Sequence, residues 1–172
     1  IKETHASRDR MYTLMDTALR EELAGNPTSD YQNVIQHITF QFKDSKENVN
    51  IVLLELQHPD PNGAPTLGSR DKVSQADIQA IVSSIQSIEK LEDERLVAII
   101  SIHALKRTYA HVHAQGNGRD EMDTALESTE LRMSKTQLDQ KLADLNKKVD
   151  ALLNDIRLEL ESIFETAFAA AE

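Results

Sequence analysis

Residues 138–156 read LDQKLADLNKKVDALLNDI. Leu138, Leu142, Leu145, Val149, Leu152 and Ile156 follow one another at steps of four, three, four, three and four, which places all six on one stripe of a helix. Charged and amide residues fill most of the positions between them. A lone helix of this kind is marginal in water, because its hydrogen bonds barely offset the cost of ordering the chain. The stripe therefore predicts a long helix that packs against other helices, and its six residues are the candidate partner-binding surface. After Ile156 the seam changes phase and passes to Leu160, Ile163 and Ala167.

Upstream the same logic gives three more helices. The first spans about 7–24: Met11, Leu14, Met15, Ala18 and Leu19 keep helical spacing until Gly25-Asn26-Pro27. The second spans about 29–57, opened by a capping box of Ser29 and Gln32 and carrying Tyr31, Ile35, Ile38, Phe42, Val49, Val52 and Leu56. Its end, Val49-Asn50-Ile51-Val52-Leu53-Leu54-Glu55-Leu56, also reads as a buried strand, since β-branched residues cluster there. The periodicity that runs into it, and the lack of a second strand to pair with, favour helix. A Pro-rich loop covers 58–73, with three of the four prolines between positions 59 and 65.

Ser74 and Asp77 form a second capping box and open a third helix over about 75–114. Ile78, Ile81, Ile85 and Ile88 line its first half, Leu91 comes one step early, and Ala98, Ile102, Leu105, Tyr109 and Val112 resume the seam. Leu96-Val97-Ala98-Ile99-Ile100 is apolar nearly all round, which predicts cover on every side at the centre of the bundle. Gly116-Asn117-Gly118 ends this helix, and 115–129 reads as a polar connecting loop before a last helix over about 130–168. The expected fold is all-α: one helical domain over 1–172, an elongated antiparallel bundle or coiled coil of about four helices, two of them long.

Composition narrows the function classes. With 19 Lys and Arg against 29 Asp and Glu, the formal net charge is -10, so direct nucleic-acid binding is not expected; phosphate contacts need a basic excess on some face. There is no Cys, which removes disulfides, thiol catalysis and thiolate metal sites together and fits an intracellular protein, nuclear or cytoplasmic. No apolar run reaches the roughly 18 residues of a membrane span.

The residues that invite chemistry have simpler readings. His111 and His113 point about 200° apart on a helix and cannot chelate one ion, and His103 lies too far along the axis; solvated or rim histidines are expected. In Asp60-Pro61-Asn62-Gly63 a calcium loop would need carboxylates at positions occupied by His58 and Ser69, so a turn explains it. Glu89, Glu92, Asp93, Glu94 and Arg95 are expected on an exposed, ion-paired face, with Glu92 pairing to Arg95. No nucleophile elbow, P-loop or dinucleotide fingerprint is present. The expectation is a non-enzyme with no cofactor, no metal and no small-molecule substrate, which meets protein partners by helix–helix packing.

Three blocks resemble a known family. Ile88-Glu89-Lys90-Leu91-Glu92-Asp93-Glu94-Arg95-Leu96 has the form of an apolar residue, then L-E-x-x-R-L, leading into an aliphatic run. Leu153-Asn154-Asp155-Ile156-Arg157-Leu158-Glu159-Leu160-Glu161-Ser162 has the form D-hydrophobic-R followed by an acidic stretch, and upstream Asp30-Tyr31 leads into the helix of Ile35, Ile38 and Phe42. In order and spacing, over roughly residues 10 to 162, these are similar to the small eukaryotic DNA-repair family called "required for excision", B type. The Pro-rich loop and the Gly116–Gly118 segment depart from it in length. The resemblance implies an accessory factor in the excision of ultraviolet damage, with no catalytic residues to carry over. The alternative from a different class is a structural coiled-coil subunit of a large cytoskeletal or ciliary assembly, which the same seam and length would serve.

Overall fold

The computed structural model describes residues 2–26, 30–57, 74–115 and 121–169. They form four helices, α1 (Lys2–Leu23), α2 (Tyr31–Gln57), α3 (Gln75–Gln115) and α4 (Glu121–Ala169), with no strand among the described residues. The all-α class read from the sequence is thus the observed one. At about 1.5 Å per residue, α3 is about 60 Å long and α4 about 70 Å.

The helix ends follow local chemistry. Gly25 takes a left-handed φ of 74°, and Asn26 N donates to the Glu21 carbonyl at 3.1 Å while Gly25 N donates to that of Glu22 at 2.9 Å. This is a Schellman stop, which favours a residue without Cβ. The N-cap of α2 is Asp30, whose carboxylate accepts from Asn33 N at 3.1 Å; Ser29, the expected cap, lies outside the described residues. At α3 the expected box forms: Asp77 N donates to Ser74 Oγ and Ser74 N to Asp77 Oδ2, each at 3.2 Å. Residues 49–56 are helical, not a strand. The Pro-rich loop and Gly116-Asn117-Gly118 lie outside the described residues.

Two expected boundaries move. α1 begins at Lys2, not near 7, because its first turns carry polar side chains that dock on α3 and leave no apolar period to read. α4 begins at Glu121, so the polar loop expected over 115–129 is helical from 121 onward; this stretch holds good helix formers and no Gly or Pro.

Side-chain pairs set the directions. His5 meets Glu92 and Glu22 meets Arg107, so α1 runs parallel to α3. Tyr31 meets His103 and Lys46 meets Asp93, so α2 runs against α3. Arg132 meets Tyr109 while Ile156 lies among Ile81, Ile85 and Ile88, so α4 also runs against α3, its most extensive neighbour. One apolar cluster joins α2, α3 and α4 through Val49, Leu53, Val82, Ile85 and Ile156. A second joins α1, α2 and α3 through Met11, Met15, Ile38, Phe42 and Ile99, with Leu96 and Leu142 packed on its edge. A third, Ala18, Leu19 and Tyr31, closes the α1–α2 turn.

The candidate partner stripe packs in large part within the chain itself. Leu145, Val149 and Ile156 are buried at 3%, 0% and 4% exposure. Leu138, Leu142 and Leu152 are half-buried, with Leu142 and Leu152 packed on the second and first clusters. The physical reason is that α4 runs antiparallel along α3 and presents its seam to it. The reading of the aliphatic run of α3 as covered on every side is corrected: Ala98 and Ile99 are buried, but Val97 is 62% and Ile100 38% exposed. Three neighbours occupy only part of the circumference of α3. Among the described residues no helix is long and apolar enough to cross a membrane.

Candidate functional site

Among the described residues, polar side chains converge between α1 and α3. His5, Arg8, Asp9 and Tyr12 recur every three or four residues and so share one face of α1. On α3, Glu89, Glu92 and Arg95 do the same, each three apart. Parallel packing lays the two rows side by side.

Glu92 is the hub and is 2% exposed. Its Oε1 accepts from His5 Nδ1 at 2.9 Å and from Arg95 Nη1 at 3.2 Å, and its Oε2 accepts from Tyr12 OH at 2.8 Å. Arg95 reaches on to Asp9 Oδ1 at 2.8 Å and lies over the Tyr12 ring, 4.6 Å from its centroid. Arg8, 3% exposed, forks onto both oxygens of Glu89 at 2.8 and 2.9 Å. Phe42 of α2 covers this layer, its ring 5.2 Å from that of Tyr12. Burial, then the adjacent Glu92 charge, pushes the Tyr12 phenol far above its ordinary range, so its proton stays in the bond to Glu92. The expected Glu92–Arg95 pair therefore forms, but inside the bundle rather than on an exposed face.

About two turns beyond Arg95 on α3, His103 is 1% exposed, which corrects the expectation of a solvated histidine. Its Nε2 lies 2.8 Å from Asp16 Oδ1 and its Nδ1 2.9 Å from Tyr31 OH. The carboxylate can only accept, so Nε2 carries the proton and Nδ1 accepts from the phenol. Burial holds the His103 pKa below its ordinary 6.5, against the opposing pull of Asp16, and the imidazole is neutral near pH 7.

A stability prediction follows from that direction. With the folded pKa below the unfolded one, the unfolded chain takes up the proton first, so stability is full above about pH 6.5 and falls as the pH drops through the folded value. For one proton the slope is at most about 1.4 kcal/mol per pH unit. Urea unfolding between about pH 5 and 7 should show this loss in the native chain and a flatter profile in His103→Gln. Equal slopes in both would remove His103 as the source.

Among the described residues the remaining histidines do not assemble a site. His111 and His113 are exposed, and the His113 ring lies tilted against that of Tyr109, 4.2 Å between centroids. Among the described residues no three of His, Asp and Glu converge as metal ligands. A cavity of about 210 Å³ between α2 and α3 touches the edge of the hub, with Arg8 and Glu92 in its wall, but both are already paired to neighbours within the protein.

Comparison with known protein-family models, curated proteins and solved structures finds no match. What fold and site define is a class: an all-α bundle whose first and third helices are joined by a buried, mutually paired polar layer.

Proposed function

We propose that this chain is a non-catalytic helical interaction subunit, an adaptor that offers helix surfaces to a partner protein, and that it acts as an accessory factor in DNA excision repair. The observation that carries the adaptor reading is the mutual pairing of the hub side chains, which leaves the Glu92 carboxylate fully engaged by its neighbours. Glu92, His5, Tyr12 and Arg95 bind one another, and the Tyr12 proton is held tightly, an arrangement that stiffens a fold rather than serving acid–base chemistry. Exposed apolar side chains on the outer faces, such as Phe40 and Met133, each 62% exposed, add support for contacts with other proteins.

The repair assignment rests on the sequence blocks alone. Leu91-Glu92-Asp93-Glu94-Arg95-Leu96, which carries the resemblance, is also the block that builds the hub. The net charge of -10 directs such a role through protein contacts rather than DNA. The second reading, a subunit of a cytoskeletal or axonemal assembly, draws on the length of α3 and α4.

Proximity labelling with the tagged chain in ultraviolet-irradiated cells separates the two. Reproducible enrichment of excision-repair and chromatin proteins is the expected result. Tubulin and axonemal proteins in their place would replace the first reading with the second, and an enrichment indistinguishable from an untargeted control would sink both.

A further inference from the structure

α1 stops at Leu23, held by the Gly25 turn, while α3 and α4 run on together through Tyr109–Arg132 and His113–Ser128. A groove of about 350 Å³ opens at that step. Its floor is apolar: Leu23, Leu105, Tyr109, Ala110 and Leu131. Among the described residues the other lining members are Lys106, Arg132 and Lys135, three cations with no carboxylate beside them in the lining. In a chain with 29 acidic and 19 basic residues this is a local reversal of charge.

We propose that this groove docks an acidic amphipathic helix of a partner protein. The proposal deepens the adaptor reading and rests on it. The volume lies at the low end of the roughly 300–1,000 Å³ typical of ligand clefts, and the floor suits a few aliphatic or aromatic anchors. Such a helix would extend the line of α1, set its apolar face on Leu105, Tyr109 and Leu131, and turn flanking carboxylates to the cations. Those cations are open to competition. Lys106 sits 3.8 Å from Asp16, Lys135 pairs with Asp139 on the surface of α4, and Arg132 donates to the Tyr109 hydroxyl, a neutral partner. A basic helix would meet like charge there and an uncharged one would gain nothing from the cations, so charge complementarity selects the partner.

The test uses dye-labelled peptides of about 18 residues with Leu at every third or fourth position. One carries Glu on its flanks, a second Lys in place of every Glu, and a third Ser in place of every Leu. Fluorescence anisotropy should show binding of the Leu/Glu peptide only, weakening as salt rises from about 50 to about 500 mM. The double variant R132E/K135E should lose at least about tenfold in affinity for the Leu/Glu peptide and gain affinity for the Leu/Lys peptide. Arg132 is exposed and Lys135 half-buried at the surface, so an unchanged melting temperature serves as the folding control.

Equal binding of Glu and Lys peptides, no binding of any peptide, or an indifferent R132E/K135E would each overturn the proposal. So would tight binding of dodecanoate at the groove with no peptide binding, or a concentration-dependent dimer abolished by R132E/K135E, which would give the site to a small amphiphile or to a second copy. Partner enrichment in cells that persists in R132E/K135E would sink the groove while leaving the adaptor reading intact.

Discussion

Replacing Glu92 by Ala should destabilise the bundle by about 3–5 kcal/mol, the cost typical of removing one partner from a buried ion-paired group. The substitution leaves Tyr12 OH and His5 Nδ1 without their acceptor and deprives Arg95 of one of its two carboxylates. An unmade bond in that setting costs desolvation that water no longer repays. For a chain of 172 residues the loss corresponds to a fall of roughly 6–20 °C in melting temperature. Glu92→Gln should be milder, since it keeps the shape and one acceptor.

The pairwise nature of the effect can be checked. Tyr12→Phe removes one donor, and the double variant with Glu92→Leu should be less destabilised than the sum of the two singles, a coupling that a double-mutant cycle in urea reads directly. Additive losses would mean that the Tyr12–Glu92 bond carries no coupling, and a Glu92→Ala protein that melts like the native one would mean that the hub contributes nothing to stability. An enzyme reading predicts a different outcome, loss of an activity with the fold unchanged.

Leu145→Asp should unfold the chain. Leu145 is 3% exposed, next on the seam to Val149 at 0%, so a carboxylate there is desolvated without a partner. Leu145→Ala should cost about 2–5 kcal/mol, the usual cost of a large-to-small change in a core. Leu138→Ala, at a half-buried position of the same stripe, should cost much less. Circular dichroism and urea unfolding of the purified chain, with no partner present, measure all three. If the stripe served a partner rather than the chain's own core, Leu145→Asp would keep its helicity and cooperativity and lose only association. A folded, cooperatively melting Leu145→Asp is thus the result that would assign the seam to a partner.

Much of the fold was legible because its determinants are local. Gly25 ends α1 through its own φ, and Ser74 with Asp77 opens α3 through bonds between residues three apart. The stripe of α4 was visible because its six positions carry apolar side chains without a break. The polar hub was missed, although a signal lay in the rhythm of α3. Ile78, Ile81, Ile85 and Ile88 step by three, four and three, and the next steps of four and three fall on Glu92 and Arg95 before Ile99 and Ile102 continue the seam. A charged pair in core phase marks a buried pair; reading it as a gap in the stripe sent it to the surface. On α1, Arg8 likewise precedes Met11 and Met15 at stripe spacing.

The sequence alone determined that the chain is helical, where most of its helices begin and end, and which stripes had to be covered, because helical period, caps and breakers act within a few residues. Only the tertiary structure decided what covered them. The acceptor for Tyr12 lies 80 residues away at Glu92, and the partner of Tyr31 lies 72 residues away at His103. Whether a polar side chain is buried and paired, or exposed and solvated, depends on which helix arrives beside it and in which direction. That is also why the groove at the end of α1 was invisible beforehand: its floor and its three cations come from separate helices and meet only where α1 stops and its neighbours continue.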